Sequence, residues 1–134
     1  MTATRKITEA ENILFSMQNL SDEDFQIRLD SFIKTIHEIF SHLLEEYNVK
    51  FDCKIERINL EKFKVRAKKM GKLEAINFLI WYEKEYRRIK DDSVFGYLLE
   101  RDNVDVSEPN AIINSCSMLL NEIKSMTYHA YENF

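Results

Sequence analysis

Apolar residues recur along this chain at steps of three and four, the spacing that places side chains on one side of an α-helix. The clearest run is Phe25, Leu29, Phe32, Ile36, Ile39/Phe40, Leu43 and Tyr47, which predicts a helix from Asp22 to about Tyr47. At 1.5 Å per residue that helix is ~39 Å long, enough to set the length of a bundle. Ser21 followed by Asp22-Glu23-Asp24 supplies an N-cap and first-turn acids, which the helix dipole favours. Ahead of it, Ile7, Ala10, Ile13, Leu14 and Met17 predict a helix from Thr8 to Asn19. Beyond it, Asn59 is placed to cap a helix carrying Leu60, Phe63, Ala67 and Met70. Gly71 either ends that helix or is an interior glycine of one longer helix.

The segment from Leu73 to about Lys90 has Ala75, Leu79, Tyr82, Tyr86 and Ile89 on one stripe, and Ile76, Phe78, Ile80 and Trp81 on other sides. A helix apolar nearly all round is buried on more than one face, so this is the centre of the bundle or a dimer interface. Asp91-Asp92-Ser93 opens a short helix through Arg101 that buries Val94/Phe95 and Leu98/Leu99. A last helix runs from Pro109, a residue suited to the first turn, to about Tyr131. Ile112, Cys116, Leu119, Ile123, Met126 and Ala130 form its apolar stripe. One stretch breaks the helical rhythm. Val49-Lys-Phe51-Asp-Cys53-Lys-Ile55 alternates strictly, a strand signal, and is read as a short extended segment at 49–55 or as an irregular connection that buries Phe51 and Ile55.

The pattern thus predicts an all-α, up-and-down helical bundle of five or six helices in a single domain spanning residues 1–134. Apolar residues at 45% and aromatics at 12% are ample for a core at this length. Cys53 and Cys116 are too few for a disulfide framework and lack CxxC spacing, so both read as reduced core residues. No apolar stretch follows the basic residues near the N-terminus. The longest purely apolar run, Phe78 to Tyr82, is far short of the ~20 residues that span a bilayer. The expected location is the cytoplasm, with no membrane contact.

Charge is unevenly distributed. Residues 1–50 carry nine acids against five bases, while 54–72 carry eight bases against Glu56 and Glu61. Lys62, Lys64, Arg66, Lys68 and Lys69 are therefore candidate contacts for phosphate or for an acidic partner, or else a solvated face that balances the acidic half. No catalytic cluster stands out. His37 and His42 lie five apart, ~140° around a helix beyond one turn, whereas the HExxH zinc site needs four. Neither they nor His129 has a glutamate three positions earlier, as paired di-iron helices require. No metal site and no cofactor are expected.

The chain's one proline lies in Arg101-Asp102-Asn103-Val104-Asp105-Val106-Ser107-Glu108-Pro109, a polar loop between two helices. Together with Arg28-Leu-Asp-Ser-Phe-Ile, Phe78-Leu-Ile-Trp-Tyr-Glu and Leu98-Leu-Glu-Arg101, this loop and the helix order give a chain that resembles the HEPN superfamily over about Phe25 to Ile123. Members are small α-helical bundles with a basic, often RNA-cleaving site at a dimer interface. The resemblance implies that Arg101 matches the signature arginine and that Asn103 lies one position past its asparagine; a homodimer is expected from the apolar girth of residues 75–82. The signature histidine would fall at 106–108, which here are Val106, Ser107 and Glu108. Arginine can hold phosphate bidentately but stays charged and cannot act as the base. The expected function is binding of a protein partner or RNA without catalysis. The alternatives are a metal-independent ribonuclease whose base comes from His129 or Asp105 across a dimer, and an interaction bundle unrelated to HEPN.

Overall fold

A computed structural model describes residues 2–100 and 107–134. Among these residues the chain forms six α-helices and no strand: α1 (Thr2–Phe15), α2 (Asp22–Lys50), α3 (Leu60–Met70), α4 (Leu73–Asp91), α5 (Ser93–Glu100) and α6 (Pro109–Asn133). Side-chain bonds between helices fix their directions. Ala3 N–H donates to Glu46 Oε1 at 2.9 Å, and Lys6 pairs with Glu38, so α1 and α2 run antiparallel. Lys124 reaches Glu11 and sets α6 antiparallel to α1. Arg88 reaches Glu122 and sets α4 antiparallel to α6. Helices α1, α2, α4 and α6 are thus a four-helix up-and-down core, with α3 and α5 packed against α4.

Glu46 ties three of the four together, because its second oxygen accepts a 2.6 Å hydrogen bond from Tyr131 of α6. A carboxylate at the first turn of α1 also meets the positive end of that helix. This bond explains why α1 begins at Thr2 rather than Thr8: Ala3 is fully buried against the C-terminal end of α2. The helix also stops sooner than the sequence suggested, since Asn19 takes a left-handed conformation at φ 59°. Helix α2 starts where expected, with Ser21 Oγ accepting from Asp24 N–H at 3.2 Å, and runs on to Lys50. Gly71 ends α3 at φ 62°, a conformation glycine adopts without a Cβ penalty. Gly96 serves a different need: a Cβ there would lie 2.4 Å from the Lys90 carbonyl oxygen, so the α4–α5 corner admits no side chain.

The extended segment expected at 49–55 is not formed. Val49 and Lys50 complete α2, and residues 51–59 are an irregular link. The alternation was real, but it arises from a different conformation. Asp52 and Lys54 both sit in the left-handed region at φ 53°, and the chain between and around them turns Phe51 and Cys53 inward.

The core centres on Phe78 of α4. Its ring stacks on Tyr47 of α2 at 4.1 Å and meets Phe51, Phe63, Tyr82 and Phe134 at 5.6–6.3 Å. One ring therefore joins α2, the link, α3, α4 and the C-terminus, which bears out the reading of α4 as the central helix. Tyr82 donates to the Phe40 carbonyl at 3.1 Å, and burial pushes the Tyr82 and Tyr47 hydroxyls above the ordinary tyrosine range, Tyr47 to about 12. Phe78→Ala should cost about 3–5 kcal/mol, the usual toll for emptying an aromatic site. Urea unfolding should show this as a lower midpoint at an unchanged slope.

Candidate functional site

The basic stretch does not form one patch. Helix α3 divides it between two sides. Lys62, Arg66 and Lys69 line an open cavity of about 460 Å³ with Ile55, Glu61 and Val65. Lys64 and Lys68 face α4 and line a groove of about 270 Å³ with Ile76, Leu79, Ile80 and Glu83. A helix turns through 100° per residue, so the cations at 62, 66 and 69 point away from those at 64 and 68.

Most of these cations already have partners. Arg66 Nη1 donates to the Cys53 carbonyl at 3.0 Å, Lys62 Nζ reaches the Arg57 carbonyl at 3.4 Å, and Lys72 Nζ bonds the Phe51 carbonyl. These three serve the irregular link, whose carbonyls have no helix or sheet to accept for them. On the other side Lys64 pairs with Glu83 at 2.9 Å, and Glu83 also binds Arg87 at 2.7 Å. The hydrogen bond from Lys64 holds the Glu83 carboxyl below its ordinary range, and Glu83 in turn raises the Lys64 ammonium. Only Lys68 and Lys69 of the five candidate α3 cations have no partner among the described residues.

Arg101 and Asn103, the two loop candidates, lie outside the described residues. The three histidines are far apart in role. His37 Nε2 lies 3.2 Å from the Leu99 carbonyl, and His42 has a buried Nδ1 without a partner. The His129 ring stacks on Trp81 at 5.1 Å. Among the described residues no three His, Cys, Asp or Glu side chains are grouped to hold a metal ion. Cys53 and Cys116 are free and buried, and burial raises both thiols, Cys116 to about 12. A buried thiol with a raised pKa is a poor nucleophile.

The sequence reading allowed a dimer interface on α4 without saying which side of the helix would supply it. On α4 the side chains of Leu73, Asn77, Ile80, Lys84 and Arg87 are exposed and follow one another at steps of three and four, so they form a single outward face. Leu73 is 68% exposed and Ile80 is 65% exposed, and Ile80 sits at the mouth of the α3–α4 groove. The signal was present in the excess apolar girth of α4. Its direction was hidden, because the inward face of the same helix is apolar too. A face of this kind, with Leu73 and Ile80 set among Asn77, Lys84 and Arg87, can hold another apolar surface.

Among the described residues no helix is long and apolar enough to cross a membrane. The division of labour among the cations is open to test. Arg66→Ala should lower stability by about 1 kcal/mol, since it leaves the Cys53 carbonyl without its donor. Lys69→Ala should change it by less than about 0.5 kcal/mol. Chemical denaturation of the two variants side by side measures both. No protein-family model, curated protein or solved structure matches this chain.

Proposed function

We propose that this chain is a HEPN-like, non-catalytic helical domain that works by binding protein, and that its first partner is a second copy of itself. The observation that carries this reading is the outward face of α4, where Ile80 projects at the edge of the α3–α4 groove. If two α4 helices cross antiparallel with Ile80 near the two-fold axis, Leu73 of one copy stands opposite Arg87 of the other and packs on its aliphatic stem. The two isoleucines then cover each other's groove. Such a self-complementary patch is what an isologous dimer requires. The free, buried thiols of Cys53 and Cys116 suit a reducing compartment such as the cytoplasm.

Light scattering should give twice the 16.0 kDa of the chain at micromolar concentration. Ile80→Glu should give the monomer, with its helical circular dichroism unchanged because the side chain is exposed. A wild-type monomer would overturn the dimer.

RNA is the competing ligand. Phosphate contacts release counterions, so RNA binding through α3 would weaken steeply with salt. With Arg66, Lys62 and Lys64 already engaged, weak RNA affinity is expected, together with no RNA cleavage in EDTA by either wild type or Arg101→Ala. Cleavage that disappears in Arg101→Ala would establish a ribonuclease instead.

A further inference from the structure

A second concavity lies on a different side of α4 from the docking face. It is an open cleft of about 290 Å³ between α2, α4 and residues 58–60. Its walls are aromatic. Phe40 meets Tyr86 edge to face at 4.9 Å, and Tyr86 lies parallel to Tyr82 at 6.2 Å. His37, Ser41 and Asn59 supply the polar part of the lining, and among the described residues no Lys, Arg, Asp or Glu lines it.

Each polar group has capacity left over. His37 Nε2 faces the Leu99 carbonyl, which can only accept, so Nε2 donates there and Nδ1 is left over. Asn59 Oδ1 is used in capping α3, where it accepts from Lys62 N–H at 2.8 Å, and its amide NH₂ has no partner among the described residues. The hydroxyls of Ser41 and Tyr86 likewise have none there. A cleft with aromatic walls and one imidazole nitrogen, one amide donor and two hydroxyls is suited to a flat molecule with donors and acceptors on its edge. With no Lys, Arg, Asp or Glu among its described lining residues, the cleft favours a neutral one, because a charged ligand would be desolvated without compensation.

We infer that the α2–α4 cleft binds a neutral, planar heteroaromatic molecule of nucleobase size, stacked against the Tyr86 ring and held at its edge by His37, Ser41 and Asn59. At about 290 Å³ the cleft lies just under the range for drug-sized ligands, about 300–1,000 Å³, which limits it to a small molecule. The inference is independent of dimerisation, since it uses neither Ile80 nor the α3–α4 groove.

Amide chemical shifts of ¹⁵N-labelled protein provide the test, with adenine, uracil, adenosine monophosphate and indole added separately. Adenine or uracil should give saturable shifts confined to residues 37–44, 58–60 and 82–86. Ser41→Leu, an exposed position on α2, should weaken that binding at least ten-fold while leaving the remaining spectrum in place. Adenosine monophosphate should bind no more tightly than the free base, which separates a base-only site from one that reads phosphate. Indole should bind more weakly than the bases, because it lacks acceptors on its edge. The inference is overturned if neither base shifts the cleft amides at millimolar concentration, or if the shifts fall elsewhere. It also fails if indole binds as well as the bases, or if the monophosphate binds at least ten-fold tighter than adenine.

Discussion

Burying Phe51 and Cys53 in the link between α2 and α3 is the constraint from which much of the remaining structure follows. Their side chains cannot reach the core unless their carbonyls go with them, and a buried carbonyl needs a donor. The link has neither helix nor sheet to provide one. Donors come instead from outside the segment: Arg66 for Cys53, and Lys72 for Phe51. Asn48 completes the set, giving one amide hydrogen bond to the Ile55 carbonyl at 3.1 Å and taking one from Ile55 N–H at 3.2 Å. That side chain does for the link what a neighbouring strand would do for an edge.

Position follows from this arrangement. Arg66 lies midway along α3 and Lys72 at the head of α4, so satisfying two carbonyls also docks two helices. Phe63 and Phe78 then fall within 6.3 Å of each other, and Phe78 comes to stack on Tyr47. Left-handed backbone at Asp52, Lys54 and Arg57 costs each residue about 1 kcal/mol. The aromatic burial and the charge-assisted hydrogen bonds oppose that cost. Substitutions at Phe78 and Arg66 probe the two halves of one balance.

The long helices were legible because their periodicity extends over many turns, as in α2 from Phe25 to Tyr47, and because Ser21, Asn59 and Pro109 mark their starts. The link was not. Period-two alternation is shared by a strand and by a chain that turns at every second residue, and sequence spacing does not distinguish them. The partner that settles the matter is a side chain, Asn48, seven positions from Ile55. The early start of α1 was hidden for a related reason. It depends on Glu46, which is distant in sequence, while Thr2 and Thr4 give no local helical signal. Of the candidate site, the cations were visible as a count, but their engagement was not. Composition records that eight bases lie between 54 and 72, and only the fold shows which of them have main-chain carbonyls to serve.

That distinction bears on function more than the net charge does. A basic segment binds nucleic acid when its cations can exchange water and counterions for phosphate. Arg66 and Lys72 would have to abandon half-buried carbonyls to do so, Lys62 an exposed one, and Lys64 would have to leave Glu83. Each exchange would destabilise the link or the α3–α4 contact by roughly what the phosphate contact returned. Lys68 and Lys69 are under no such obligation, yet they project from different sides of α3. The charge asymmetry of the sequence is thus largely internal, a device for closing a strained connection. The exposed Leu73 and Ile80 of α4 carry no internal role of that kind, and covering them would remove apolar surface from water.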